Sequence, residues 1–459
     1  MPDRGRMTMQ RNRTAAVTAA LVATGAISAA CGPDDATEFP AGFWQVADYG
    51  TTLSIHGDVL ETFQVTSLSC LKDETATRTD DPATFVTAGK DVLTVRAAGS
   101  PDRAALHIDG SPGDRTLRRL PVLPTLCNDP QQPPAFDVFW QTFQENYPFF
   151  AAKDVDWQQV RDRFRDRAVR AERQGDDAEL FTVFRDMIAP LHDAHVAVSA
   201  GNLGFFGTTR PGTTMPGPSF DQQVKELVQR RDLADHRLTE YANGRISYAD
   251  IPGQDHGYLR ISAFSGYTAE RTFAADSAEL AHALDAIFTP DRLSRLRGLV
   301  LDLRINGGGS DSLGLQLAAR LTDSPYFAYA KKTRNTDPQP LRVEPAPNAF
   351  TGPIAILTGG STISAGETFT QAMLERPSRT TRIGEPTQGV FSDVMQRRLP
   401  GTRYADWWFG LPNEEFLTSD GQTFDGSGIP PELSEPVFTD EEFARNLDSA
   451  FDRALRWLG

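Results

Sequence analysis

The chain is short of cysteine, of lysine beyond its middle, and of long apolar runs. It has three cysteines in 459 residues, Cys31, Cys70 and Cys127, and no HExxH, so neither a cysteine-rich zinc site nor a zinc-protease helix is written into it. No Lys/Arg-rich tract offsets the formal net charge of −15 and the pI near 5.0, which argues against nucleic acid and against a strongly anionic membrane surface as partners. No lysine follows Lys332, so any base downstream of it must be another residue type. The main apolar stretch is short and alanine-rich, too weak for a membrane span. Internal repeats and low-complexity tracts are absent. What is there is ordinary for a globular protein: 39% hydrophobic and 23% charged residues, in a chain long enough for two or three domains.

The N-terminus has the build of a secretory signal, residues 1–31. A basic leader, "MPDRGRMTMQRNR", precedes the apolar core Thr14–Ala30 and then Cys31. "SAAC" resembles a bacterial lipobox, which implies that Cys31 is lipidated and becomes the mature N-terminus. Ser28 stands where such motifs usually carry Leu. The alternative is ordinary cleavage after the small residues, which leaves Cys31 without a role. Residues 32–39 then read as a tether. The expected location is the bacterial cell envelope, with the membrane touched only through the lipid. In an exported protein the remaining pair, Cys70 and Cys127, reads as a disulfide.

Residues 40–128 alternate apolar and polar positions, as in "FWQVADYGTTLSIHGDVLETFQVTSLSC", and read as a small β sandwich or barrel. His56 and His107 fall within it and read as structural or exposed. "NDPQQPP" (128–134) is a linker. In 135–205 the spacing of Phe136, Trp140, Phe143 and Tyr147 marks one face of a helix, and two further helices follow before a strand-like stretch. Residues 206–459 form an α/β core. "GYLRISAF", "LRGLVLDLR" and "PIAILT" are strands, separated by helical patterns, which predicts right-handed βαβ units and a mostly parallel sheet.

Two strand-to-helix turns could carry chemistry, since ligands of such sheets sit at the C-terminal ends of strands. One is "LDLRINGGGSDS" (301–312), whose glycines let the backbone approach a reacting group. The other lies in "ILTGGSTISAGETFTQAM" (356–373), where Ser361, Thr362 and Ser364 precede a helix. These hydroxyls read either as helix caps or as a nucleophile beside backbone donors. "PLHDAHVAVS" (190–199) supplies His192 and His195, and a serine nucleophile needs such a base.

Together "GLVLDLRINGGGS" and "ILTGGSTISAGETF" resemble the S41 peptidases, the C-terminal-processing and tricorn-core group. "FWQTFQENYPFF…VDW…LHDAHV" and "FDGSGIPPE" (424–432) resemble its tricorn and interphotoreceptor-retinoid-binding-like branch. The resemblance covers roughly residues 135–435. It implies a crotonase/ClpP-like core, with Ser364 as nucleophile and His195 as base. The oxyanion donors would be the N–H groups of Ala365 and Gly308, with Gly307 as a competitor. The acidic member falls on Asp425, with Asp193 and Glu367 as alternatives. Some S41 enzymes use a Lys downstream of the Ser; here none follows Ser364, which leaves His195. Asp425 stands where the branch carries Glu, and Ala194 where tricorn-type enzymes carry Ser. No PDZ-length insert separates the helical segment from the core. The expected activity is cleavage of a polypeptide substrate through a Ser/His acyl-enzyme, with no metal or organic cofactor implied. The rival reading is a binding protein for hydrophobic ligands or peptides on the same fold.

Overall fold

The computed structural model describes residues 39–391 and 393–459; the leader, Cys31 and residues 32–38 of the tether lie outside them. Alternation in the first segment produces eight strands: β1 Gly42–Val46, β2 Thr51–His56, β3 Val59–Val65, β4 Cys70–Arg78, β5 Thr84–Thr87, β6 Val92–Ala98, β7 Ser100–Ile108 and β8 Arg115–Leu120. Each pairs antiparallel with its sequence neighbour, and β8 returns to β1, so the sheet closes into a barrel. Closure removes free edges. An eight-stranded barrel has room inside for side chains, and Trp44, Leu53, Ile55, Phe85, Val95 and Leu117, all fully buried, occupy it. The expected disulfide is present: Cys70 at the start of β4 bonds Cys127, in the turn that leads to the helices.

Helices α1 Ala135–Asn146, α2 Trp157–Gln174 and α3 Asp177–Ile188 follow. Asp156 caps α2 through the N–H groups of Gln158 and Gln159, and Gly175 ends it in a left-handed conformation. Their apolar faces pack on a small sheet. That sheet comprises β9 Ala197–Ala200, β10 Phe205–Gly207, β19 Val394–Arg398 and β20 Trp407–Pro412, in the order β10-β9-β20-β19. Phe139 and Phe143 of α1 meet Phe409 of β20.

The main sheet has seven strands in the order β11-β12-β13-β14-β17-β18-β22. They are β11 Thr239–Tyr241, β12 Ile246–Asp250, β13 His256–Ile261, β14 Gly298–Asp302, β17 Ile354–Thr358, β18 Thr380–Gly384 and β22 Leu433–Ser434. From β13 to β22 all pairings are parallel, and helices make the crossovers as far as β18. These are α5 Phe273–Ile287 and α6 Pro290–Arg295, then α7 Asp311–Ala319, then α8 Ala365–Ala372. β14 and β17 are buried along their whole length, as sheets covered on both faces require. Helices α5, α7 and α8 cover one face; α4 Pro218–Leu227, the short α9 Asp440–Arg445 and the C-terminal α10 Ser449–Leu458 cover the other. The buried Arg304 pins α10 by pairing with Asp302 and Asp448, each at 2.7 Å. A third sheet, β16 Gln339–Val343, β15 Tyr326–Thr333 and β21 Glu414–Leu417, lies beside the core. The expected architecture, an α/β core of βαβ units preceded by a small β domain and a helical segment, is thus what the chain adopts. No helix among the described residues is long and apolar enough to cross a membrane.

Candidate active site

β17 ends at Thr358, and a six-residue joint, Gly359–Ser364, leads into α8. Its three hydroxyls have different fates. Ser361 donates to the Thr214 carbonyl at 2.6 Å, and Thr362 donates to the Leu303 carbonyl at 2.8 Å. Both are therefore spent on structure. Ser364 is the only position from Ser361 through Met373 that is not buried. Its φ is +56°, a conformation that costs a side-chain-bearing residue energy. The surroundings hold it there: its N–H is shared between the Val390 carbonyl at 3.0 Å and Glu367 Oε2 at 3.2 Å. Glu367 is fully buried and also takes the N–H groups of Gly389 at 2.6 Å and Val390 at 2.9 Å. Burial pushes its carboxyl up to about 7 against these hydrogen bonds. Glu367 is thus a clamp between α8 and the 387–390 loop, and it does not orient a histidine.

The glycine run after β14 lies against Ser364. A Cβ built on Gly308 would come 2.6 Å from Ser364 Cβ and 3.2 Å from its Oγ, and φ there is +84°. Only glycine fits. Sequence reasoning passed over Asn306, which builds the run: fully buried, it donates to the Ile261 carbonyl and accepts the Gly308 N–H, both at 2.9 Å. The Gly308 N–H, one of the two expected oxyanion donors, is therefore already engaged by a side-chain oxygen. The other, Ala365 N–H, belongs to the first turn of α8, whose donors have no intrahelical acceptor. Cavities open at both ends of the run. One of about 590 Å3, with Asp221, Lys225 and Arg245 in its wall, reaches Gly307. Another of about 390 Å3, with Ser111, Arg115 and Asp393, reaches Ser310. Ser265 lines both.

His195 leads into β9. Its backbone N–H donates to Asp193 Oδ1 at 2.9 Å, and the Tyr147 hydroxyl donates to Asp193 Oδ2 at 2.9 Å. Asp193 thus fixes the main chain of the base and not its ring. The imidazole Nδ1 is buried and has no hydrogen-bond partner. Burial lowers the ring's pKa, and the charges of Asp193 and Asp393 oppose this, so the neutral form that accepts a proton is favoured. His192 is exposed at a left-handed turn. No hydrogen bond joins Ser364 to His195. Val390, which receives the Ser364 N–H, and Asp393, whose charge opposes the lowering of the His195 pKa, stand three residues apart in the chain. Three residues of chain span at most about 10 Å.

Asp425 is not brought to the ring. It accepts from the Thr423 hydroxyl at 2.8 Å and from the Phe391 N–H at 3.4 Å. Burial, with Asp193 and Glu367 nearby, holds its carboxyl well above the usual range. The shorter Asp in place of Glu is a sufficient physical reason for the missing contact. The carboxylate that faces the imidazole electrostatically besides Asp193 is Asp393, which sequence reasoning did not single out. Only its place after the "GEPTQGVFS" stretch hinted at it.

Comparison with known proteins fits this geometry. Residues 255–434 match the model of peptidase family S41, and residues 132–189 match the tricorn protease C1 domain. A carboxyl-terminal-processing protease of Synechocystis sp. is 30% identical over 206 residues, 43% of this chain and 44% of its own length. A carboxy-terminal-processing protease of Bartonella bacilliformis is 27% identical over 180 residues, 39% of this chain and 38% of its own. The match thus spans less than half the length of either relative. The crystal structure of a Parabacteroides merdae protein assigned as a peptidase shares the fold, with a TM-score of 0.58 at 22% identity, over 71% of this chain and 96% of that one. The glycine run, the Ser364 joint and the closing "FDGSGIPPE" all fall inside the region that matches peptidase family S41.

Proposed function

We propose that the protein is an exported serine endopeptidase that cleaves polypeptides through an acyl-enzyme. Ser364 attacks the scissile carbonyl, and His195 takes its proton. The Ala365 N–H and the Gly308 N–H, the latter shared with Asn306, receive the oxyanion. His195 then protonates the leaving amine, and water releases the acyl group. The observation that carries this reading is the division of labour at the joint: Ser361 and Thr362 are consumed by carbonyls, while Ser364 is strained, accessible and pressed against a glycine. The two cavities at the ends of the glycine run, both lined by Ser265, offer room for substrate beside that run. The absent Ser–His hydrogen bond is consistent with catalytic contacts that tighten only when substrate binds. Export with lipid at Cys31 belongs to the same proposal. It is supported by the leader's composition and by the Cys70–Cys127 bond, which is at home in an oxidising compartment.

The test is labelling with a fluorophosphonate probe followed by intact-mass measurement. One adduct is expected, on the peptide holding Ser364. Ser364→Ala should abolish it and Ser361→Ala should not. An adduct on Ser361, or labelling that survives Ser364→Ala, would overturn the assignment.

A further inference from the structure

The loop between β7 and β8 of the barrel reaches into the candidate active site. Ser111 donates to Asp393 Oδ2 at 2.7 Å, and the Arg115 guanidinium lies 3.5 Å from the same oxygen. One residue earlier, the Gly110 carbonyl accepts from the Ser310 hydroxyl at 2.7 Å, just past the glycine run. The barrel thus grips both the loop that carries Asp393 and the loop that carries Gly308. The grip is reinforced from behind. Lys331 of β15 donates to Ser111 Oγ and pairs with Glu414, each at 3.3 Å. Tyr49 of the barrel donates to Glu414, and Arg115 stacks on the Tyr49 ring at 4.3 Å.

The other carboxylates around the site are committed elsewhere: Asp193 to Tyr147 and the His195 main chain, Asp425 to Thr423 and Phe391, Glu367 to the N–H groups of Ser364, Gly389 and Val390. The way from Asp393 to His195 runs past Gly410 of β20. A Cβ there would sit 2.9 Å from Val394 Cγ1, beside Asp393, and 3.6 Å from the His195 carbonyl oxygen. A bare glycine thus lies between the two segments. Desolvation would raise the Asp393 carboxyl, yet Lys331, Arg115 and the Ser111 hydrogen bond hold it below the usual range, so it stays ionised. Its titratable neighbours also include Asp311 of α7, whose carboxyl burial and Asp393 together push well above the usual range, and Glu414 of β21.

We propose that the barrel completes the active site: Ser111 and Arg115 hold Asp393 as the positioning residue whose negative charge supports His195 when it becomes an imidazolium. This rests on His195 being the base. It gives the barrel a part in catalysis, and it makes peptidase activity depend on barrel–core docking.

The experiment uses the full mature chain and measures the rate of fluorophosphonate labelling at Ser364 against pH. Asp393→Asn should slow labelling at neutral pH at least tenfold and move the midpoint of the pH profile downward, because the charge that favours the imidazolium is gone. Ser111→Ala with Arg115→Gln should slow labelling severalfold with the melting temperature close to wild type, and Arg115→Lys beside an intact Ser111 should restore most of it. Lys72→Ala, in an exposed barrel ion pair with Glu61 far from the loop in sequence, should change nothing. Wild-type rate and midpoint in the Ser111/Arg115 double variant would overturn the proposal, even if Asp393→Asn fails to fold. Absence of any labelling in the wild type would instead overturn the peptidase reading itself.

Discussion

The backbone of Ser364 makes a prediction whose sign runs against the usual order of amino acids. At an unstrained position inside a helix, replacing Ala by Gly destabilises, because glycine has more freedom to lose, typically by about 0.5–1 kcal/mol. Ser364 has φ +56° and ψ −120°, and a non-glycine residue held in such a region carries about 1–3 kcal/mol of strain. Ser364→Ala keeps the Cβ and the strain; Ser364→Gly removes both. The Cβ it removes is only half-buried, so the lost packing is a fraction of the ~0.8 kcal/mol of a buried methylene. Taking the middle of each range, the Gly variant should be more stable than the Ala variant by about 1 kcal/mol. Neither should be labelled by the probe. Urea denaturation of the two variants with a common slope measures the difference directly. An Ala variant as stable as the Gly variant, or more so, would mean that the joint is not strained. A second comparison sharpens the test. Gly308→Ala should destabilise less in the Ser364→Gly background than in the wild type, because the atom its Cβ would strike at 2.6 Å is then gone.

If His195 is the base, activity should rise with pH through a midpoint below the ordinary histidine value near 6.5, since burial favours the neutral ring. The sign for stability is the same: the unfolded chain binds the proton more readily, so stability is lost as pH falls from about 6.5 through the folded pKa. His195→Gln should lower kcat by several powers of ten, whereas His192→Gln should leave it nearly unchanged because that ring lies exposed; the reverse result would exchange their roles. Asp425→Asn should cost less than threefold in kcat/KM, since the carboxyl already favours its neutral form and does not meet the imidazole; a loss like that of Asp393→Asn would restore Asp425 as the acidic partner. Replacing Cys70 and Cys127 together with Ser should destabilise by about 4 kcal/mol in the chain-entropy picture, for a separation of 57 residues, and an unchanged denaturation midpoint would refute that.

How far the sequence could be read follows from what each inference required. Strand alternation in 43–70 gave the β nature of the first domain, but closure depends on β8 returning to β1 across more than seventy residues, and no local pattern records that pairing. The βαβ order of the core was legible because β14 and β17 are buried throughout and read as apolar runs. At the joint, three hydroxyls in four residues looked alike. Ser361 and Thr362 are set apart from Ser364 only by the carbonyls of Thr214 and Leu303, which come from distant parts of the chain. The acidic partner was the hardest to read, and for a general reason. A carboxylate's role is fixed by which donors claim its oxygens, and donors are assigned by tertiary contact. Asp193 stands two residues before His195 and looks like a ring partner, yet Tyr147 and a main-chain N–H take it. Glu367 stands three residues after the nucleophile and is consumed by a loop. Asp393 carries no motif at all, and its importance depends on two side chains from a barrel that begins far upstream. A family pattern transfers the nucleophile because backbone geometry at a strand-to-helix turn demands glycines and a small hydroxyl residue nearby. It transfers the acid poorly, because several surfaces of the fold can deliver a negative charge to one imidazole, and in this chain the side chains that hold the proposed carboxylate belong to a domain outside the matched region.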